Sequence, residues 1–380
     1  MIGKHINKSG NAEISPLGFI SRGFFDKKLY EGDLNKMSKV KVGIIGATGY
    51  VGVELIRLLN AHPQVELSAI GSNSFVDKSI TEVYPSVGIG NDMKCMNNED
   101  VIKNSDFIFT ALPHGVSEEF VLQAVKEGKK VVDLGADFRL KDEETFKEWY
   151  NVSFIDKKLH EEAVYGLCEH YEDQIKNAQV IANPGCYVTS ISLPLMPLLK
   201  AKLIKKDGIV ADSKSGVTGA GRGLTLLSHY PEINENMAPY KIGNHRHTPE
   251  IEQNLTDAAG EPVEIIFTPI LAPMNRGILS TIYCEKAEGV TVEKIQSELA
   301  DFYKDKPFVD VLPLGQVATI KHVRLSNKCA ISVHENKSKI IICSTIDNMV
   351  KGSAGQAIQN MNLMLGFDEC EGLSTMATAF

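Results

Sequence analysis

Val40-Lys41-Val42-Gly43-Ile44-Ile45-Gly46-Ala47-Thr48-Gly49-Tyr50-Val51-Gly52 is the stretch that decides the fold. Val40 to Ile45 is a near-continuous apolar run, as a strand buried on both faces of a parallel sheet requires. The glycines then allow a tight turn, and residues 53–59 carry a helical pattern. Strand, glycine turn and helix in that order predict a dinucleotide whose pyrophosphate rests on the helix start. Gly46, Thr48, Gly49, Tyr50, Val51 and Gly52 would surround it. Further strands at 65–70, 106–111 and 130–134, with a helix over 117–126, predict a doubly wound parallel sheet of the Rossmann type.

The second strand ends in Gly71-Ser72-Asn73-Ser74, where NAD-specific proteins place an Asp or Glu for the ribose diol. No acid stands there. Small donors at Ser72 and Asn73, with Lys78 just beyond, favour NADP. Pro113, in Leu112-Pro113-His114-Gly115, follows the carboxyl end of a strand and is expected on the ligand side.

A second centre is 180–197, VIANPGCYVTSISLPLMP, where an apolar run stops at Asn-Pro-Gly and delivers Cys186 to a helix start. Ile191, Leu195, Leu198 and Leu199 repeat at helical spacing, and Pro194 interrupts one backbone bond. A thiol there would meet free N–H groups and the positive end of the helix dipole, both of which lower its pKa, so Cys186 is the candidate nucleophile. Taken alone, an isolated cysteine is more often buried structure.

Beyond it, strands at 208–212, 263–271, 277–284, 317–325, 328–333 and 339–345 predict a largely antiparallel α+β domain, and a helix over 353–365 returns to the first domain. The expected division is a poorly ordered arm over 1–36, a dinucleotide-binding domain over 37–184 and 348–380, and a catalytic and oligomerisation domain over 185–347. Residues 212–222, DSKSGVTGAGR, form a glycine- and hydroxyl-rich loop with two cations, able to hold a phosphate or carboxylate. Residues 244–250, NHRHTPE, put His245 and His247 at i, i+2. In an extended segment both would face one site.

With 380 residues, a formal charge of −8 and no Lys/Arg-rich run, the chain lacks the footprint of a nucleic-acid or anionic-membrane binder, and a small molecule is the expected partner. No apolar run approaches a membrane span. The seven cysteines are scattered, without zinc spacing, which predicts a cytoplasmic protein with no metal.

The segments GATGYVG, PHGVS, DLGADFRL, AVYGLCE, NPGCYVTS, DSKSGVTGAGR, HRHTPEI and DNMVKGSAGQAIQNMN, in this order, closely resemble the N-acetyl-gamma-glutamyl-phosphate reductases of arginine biosynthesis. The resemblance runs from Lys39 to about Gly366. It implies an NADPH-dependent acyl-phosphate reductase working through a cysteinyl thioester on Cys186, with His247 as acid/base. It implies a homo-oligomer, dimer or tetramer, with the α+β catalytic domain of glyceraldehyde-3-phosphate dehydrogenase-like enzymes. Arg139, Ser213, Ser215, Arg222 and His245 become substrate or phosphate candidates, and Asn348 and Lys351 candidates near the nicotinamide. Two positions depart from the pattern: Asn73 stands where relatives often carry an Arg for the NADP phosphate, and Cys168 replaces a common Pro. The rivals are an aspartyl- or carrier-linked aminoadipyl-phosphate reductase and a non-catalytic NADP-binding regulator.

Overall fold

The computed structural model describes residues 39–87 and 92–378; the expected arm over 1–36 lies outside them. Two sheets organise this region. The first has six parallel strands in the order β2-β1-β3-β4-β6-β5: β1 (Val40–Ile45), β2 (Val65–Gly71), β3 (Phe107–Thr110), β4 (Lys130–Asp133), β5 (Val164–Tyr165) and β6 (Val180–Ala182). Its strands are short and apolar because both faces are covered: Val42, Ile44, Phe107 and Phe109 are fully buried.

Helix α1 (Tyr50–Leu59) leaves the glycine turn after β1, and α2 (Ser117–Lys126) links β3 to β4. Gly46 is at φ +85°, and a Cβ there would lie 2.4 Å from the Ala111 carbonyl oxygen, so the turn tolerates only glycine.

The second sheet has seven strands in the order β11-β12-β13-β10-β7-β9-β8: β7 (Ile209–Gly216), β8 (Ala238–Pro239), β9 (Ile265–Ala272), β10 (Ile278–Glu285), β11 (Val309–Val311), β12 (Cys329–Asn336) and β13 (Lys339–Ile346). It is mixed rather than nearly all antiparallel, because β7 pairs with β9 and β11 with β12 in parallel. Helices α4 (Cys186–Lys200), α5 (Thr248–Ala259) and α6 (Val292–Tyr303) share its core, where Val188, Ile191, Leu195, Ile251 and Leu299 meet Ile209, Ile278 and Ile342. Helix α4 carries two interior prolines, Pro194 and Pro197. Helix α3 (Cys168–Asn177) precedes β6, and α7 (Gly355–Leu365) packs over the parallel sheet, its Ala357, Ile358 and Met361 among Val42, Phe107 and Ile181.

Two sequence expectations fail here. Residues 317–325 form no strand. Ala318 and Val323 sit inside a small cluster with Ala330, so burial alone accounts for their apolar spacing. Asp212 to Gly216, read as loop, continues β7: its inward hydroxyl at Ser213 is met by Ser280, which in turn meets Ser190, at 2.7–2.8 Å, so a polar strand is satisfied in the interior.

Arg276, in the β9–β10 turn, joins the two halves by pairing with Glu54 of α1 and Asp347 after β13, both buried. That clamp fixes the segment from which Asn348 faces the crevice.

Candidate active site

Cys186 is the first residue of α4, after an extended Gly185 with no side-chain cap, as the Asn-Pro-Gly pattern predicts. His247 is the residue from which α5 starts, in a turn rather than the expected extended segment. The turn still brings both histidines to one cavity, because His245 Nδ1 accepts the His247 N–H at 3.1 Å and folds back over it. A Cβ added to Gly185 would lie 2.6 Å from His247 Nε2, so the imidazole rests on the backbone immediately before the thiol. On the other side, a Cβ on Gly352 would meet the Cys186 Cβ at 2.9 Å.

Two lobes of the crevice meet at this pair. One, of about 480 Å³, runs past Gly49, Tyr50, Val51, Pro113, Arg139, Arg222 and Asn348. The other, of about 440 Å³, is lined by Tyr150, Tyr187, Ser215, Tyr240, Lys241 and His245. Cys186, His247, His114 and Arg246 line both. The glycine-turn lobe fits a dinucleotide: α1 starts at Gly49 with no side chain on its first N–H groups, which leaves donors for a pyrophosphate. Thr48 Oγ1 and Ser72 Oγ stand 2.7 Å apart at the end of β2, and Asn73 accepts from Asn98 Nδ2. Gly46 and Gly52 shape the turn from beneath. Among the described residues, no group of three His, Cys, Asp or Glu side chains is placed to hold a metal.

Four expected positions fall elsewhere. Lys351 is fully buried away from the crevice, its Nζ 2.5 Å from Glu169 Oε1 and 2.8 Å from Gln359 Oε1. A π-turn over Val350–Ala354, with Ala354 N–H reaching back to Met349 C=O, supplies the shift that sends it inward, while Gly352 and Ser353 line the lobe instead. Ser213 is buried against Ser280; only Ser215 of that strand face reaches a lobe. Arg222 and Arg139, expected among the substrate or phosphate groups, join the glycine-turn lobe and not the tyrosine lobe. Asn348 is fixed there, accepting from Gly277 N–H at 2.7 Å and donating to Thr218 Oγ1 at 3.0 Å.

Burial dominates the electrostatics. It pushes the Cys186 thiol up to about 11, and the Tyr187 N–H and the Arg139 charge work only partly against it. The expected lowering by the helix start is therefore outweighed. Burial also takes His247 well below the ordinary histidine range, with the neighbouring His245 and Arg139 charges adding to the effect, and takes His245 to about 4 and His114 to about 3. The resting pair is thus a neutral thiol and a neutral imidazole.

Glu250 was not singled out by sequence. It is fully buried and gathers the site, its Oε1 accepting from the Gly185 N–H at 2.9 Å and the Tyr165 hydroxyl at 2.7 Å while Oε2 faces Arg139 at 3.5 Å. The available signal was its place in His-Thr-Pro-Glu, a carboxylate one turn into a helix that starts at the candidate base. Glu250→Gln should keep the fold but loosen the turn before Cys186. A displacement of that kind costs roughly 10²-fold in kcat, with little effect on dinucleotide affinity. A folded variant with full kcat would remove Glu250 from this role.

Residues 41–178 match the family described as semialdehyde dehydrogenase, NAD binding domain, and residues 186–348 match semialdehyde dehydrogenase, dimerisation domain. The chain is 55% identical over 343 residues to an N-acetyl-gamma-glutamyl-phosphate reductase of Clostridium beijerinckii, covering 90% of this chain and 100% of the relative. A Brachyspira hyodysenteriae protein of the same name is 48% identical over 351 residues, again over 90% of this chain and 100% of the relative. Among solved structures, the aspartate semialdehyde dehydrogenase II of Vibrio cholerae shares the fold at a TM-score of 0.67 and 16% identity, over 87% of this chain and 99% of that one. The Candida albicans aspartate semialdehyde dehydrogenase with NADP matches at 0.62 and 17%, over 86% and 99%.

Proposed function

The chain belongs to the N-acetyl-gamma-glutamyl-phosphate reductase family of semialdehyde dehydrogenases, and from that premise we propose that it reduces N-acetyl-glutamyl 5-phosphate to the 5-semialdehyde and phosphate with NADPH, a step of arginine biosynthesis. The observation that carries this reading is the meeting of a lobe at the glycine turn and a lobe lined by hydroxyls and cations at one thiol and one imidazole.

Cys186 Sγ attacks the carbonyl carbon of the acyl phosphate. The C–S bond forms, the bond to phosphate oxygen breaks, and the thiol proton passes through His247 to the departing phosphate. NADPH, when bound, supplies the hydride that reaches the thioester carbon. His247, reprotonated from solvent, protonates the oxygen to give a thiohemiacetal. It then takes the hydroxyl proton back as C=O re-forms and the C–S bond breaks, and returns it to sulfur. The imidazole is neutral at neutral pH and so has a lone pair for the thiol proton, but the burial that lowers its pKa also weakens it as a base, so the proton moves in concert with C–S bond formation.

Arg139 and Glu250 hold the turn. Lys241, Arg246, which stacks on Tyr150 at 5.6 Å, and His245 with Ser215 are the groups assigned to the substrate's carboxylate and amide. We assign a homodimer or tetramer assembled on the second sheet, supported by the dimerisation-domain match and by the open sheet face that leaves Ile266 63% and Tyr283 39% exposed. Seven free cysteines support a cytoplasmic setting. Among the described residues, no helix is long and apolar enough to cross a membrane.

The test is NADP reduction by N-acetyl-glutamate 5-semialdehyde plus phosphate, run beside aspartate semialdehyde plus phosphate. Reduction is expected with the first. Activity with aspartate semialdehyde alone would overturn the substrate assignment.

A further inference from the structure

Arg222 follows the short 3-10 turn Val217–Ala220 that continues β7, and it reaches across the crevice to the first sheet. There its Nη1 donates to the Thr48 carbonyl of the glycine turn at 3.0 Å, across 174 residues of sequence. The guanidinium carbon lies 5.2 Å from the centre of the Phe75 ring and 5.0 Å from that of Tyr84. The Tyr84 hydroxyl donates to the same Thr48 carbonyl at 3.1 Å. Among the described residues these partners are a carbonyl, a hydroxyl and two rings, none of them an anion. A guanidinium with one N–H on the Thr48 carbonyl and another on the Tyr84 hydroxyl oxygen keeps three more donors and its full charge for a ligand.

The place it occupies is informative. Thr48 Oγ1 touches Ser72 Oγ, so the arginine stands beside the carboxyl end of β2, where a dinucleotide's adenosine ribose lies in sheets of this topology. Ser72, Asn73 and Ser74 offer no carboxylate for a ribose diol. The Asn73 amide oxygen already accepts from Asn98, which leaves its NH2 as the free donor. Hydroxyls, an amide donor and a stacked guanidinium are together a receptor for a phosphate dianion.

We propose that Arg222, carried over the crevice on the loop after β7, recognises the 2′-phosphate of NADP(H) and does from the second sheet what an arginine at position 73 would do from the first. This rests on the cofactor reading given above and replaces the substrate role that sequence suggested for Arg222. Stacking on Phe75 and Tyr84 fixes the guanidinium before the ligand arrives, which lowers the entropy lost on binding. Gly219 and Ala220 of the same segment line both lobes beside Cys186, so a phosphate drawn to Arg222 also holds that segment over the nucleophile.

The test uses the full chain and direct binding, read by quenching of intrinsic fluorescence, with NADPH, NADH, adenosine 2′,5′-bisphosphate and 5′-AMP as probes. Arg222→Gln keeps a donor for Thr48 and loses the charge. It should weaken NADPH and adenosine 2′,5′-bisphosphate by roughly 10- to 100-fold, as expected for a charged hydrogen bond, and leave NADH and 5′-AMP within about twofold. Arg222→Lys should fall between. Equal weakening of all four probes would make Arg222 a strap that only shapes the turn and would overturn the proposal, as would no weakening of the 2′-phosphorylated pair. A wild-type chain that binds both pairs equally would overturn it too. The substrate assignment fails separately, in the semialdehyde assay, where a wild-type chain without turnover would leave the titration result standing.

Discussion

Cys186→Ala is expected to abolish turnover while leaving the fold and NADPH binding intact. The thioester has no substitute nucleophile: the other six cysteines are elsewhere in the described structure, and Cys186 is the only one that lines either lobe of the crevice. Loss of one Sγ from a partly exposed cavity wall leaves the apolar support of α4 in place, so a thermal melt should hardly move. Cys186→Ser should fail as well, since a hydroxyl ionises far less readily than a thiol. Retention of more than a small fraction of kcat in either variant would rule Cys186 out as nucleophile.

The thiol's environment sets a further expectation. Burial that pushes it up to about 11 disfavours the thiolate, so alkylation by iodoacetamide in the ligand-free protein should be slow at neutral pH and keep rising beyond pH 9. Bound substrate should slow it by occlusion. A rate that levels off near pH 7 would show that the helix start and Arg139 outweigh burial after all.

The second large effect concerns His247. His247→Asn should lower kcat by about 10²–10⁴-fold, the usual worth of general acid–base assistance, with a smaller change in KM. It should also erase the acid limb of the pH–rate profile. That limb should lie below the ordinary histidine range, because burial and the neighbouring charges lower the pKa and so extend the neutral form to more acid pH. His245→Asn should act chiefly on KM and preserve the limb, since an asparagine oxygen can still accept the His247 N–H that His245 Nδ1 now accepts. Profiles carried down to about pH 3.5 decide the matter: a limb that vanishes in the His245 variant and survives in the His247 variant would exchange their roles.

Much of the fold was legible because short, strongly apolar segments admit one environment. The glycine-turn strand over Val40–Ile45 and the helix over Ser117–Lys126 have the bounds that their patterns predict, and the thiol sits at the start of its helix as Asn-Pro-Gly implies. Polar interior segments were not legible. Ser213 and Gly216 carry no strand signal of their own: they lie in β7 because β9 and β10 offer ladder partners, and Ser280, itself bonded to Ser190, satisfies the Ser213 hydroxyl. The apolar spacing of residues 317–325 imitates a strand, yet among the described residues no neighbour offers that segment a ladder of hydrogen bonds.

Sequence by itself determined the local patterns: a glycine turn for a dinucleotide at 46–52, a cysteine at a helix start at 186 and a histidine pair at 245 and 247 are each readable within a few residues, and the choice of His247 over His245 came from the family resemblance. Tertiary structure alone decided how those patterns are charged and joined. Whether Cys186 is a thiol or a thiolate depends on how far burial in the crevice outweighs the helix start. Lys351 points to Glu169 because one π-turn shifts its direction. Glu250 becomes the tie between base and nucleophile because it packs against a turn 65 residues away in sequence. Arg222 faces the glycine turn rather than the tyrosine lobe because its loop crosses from one sheet to the other. Burial, direction and long-range contact are properties of the packed chain, and no window of sequence contains them.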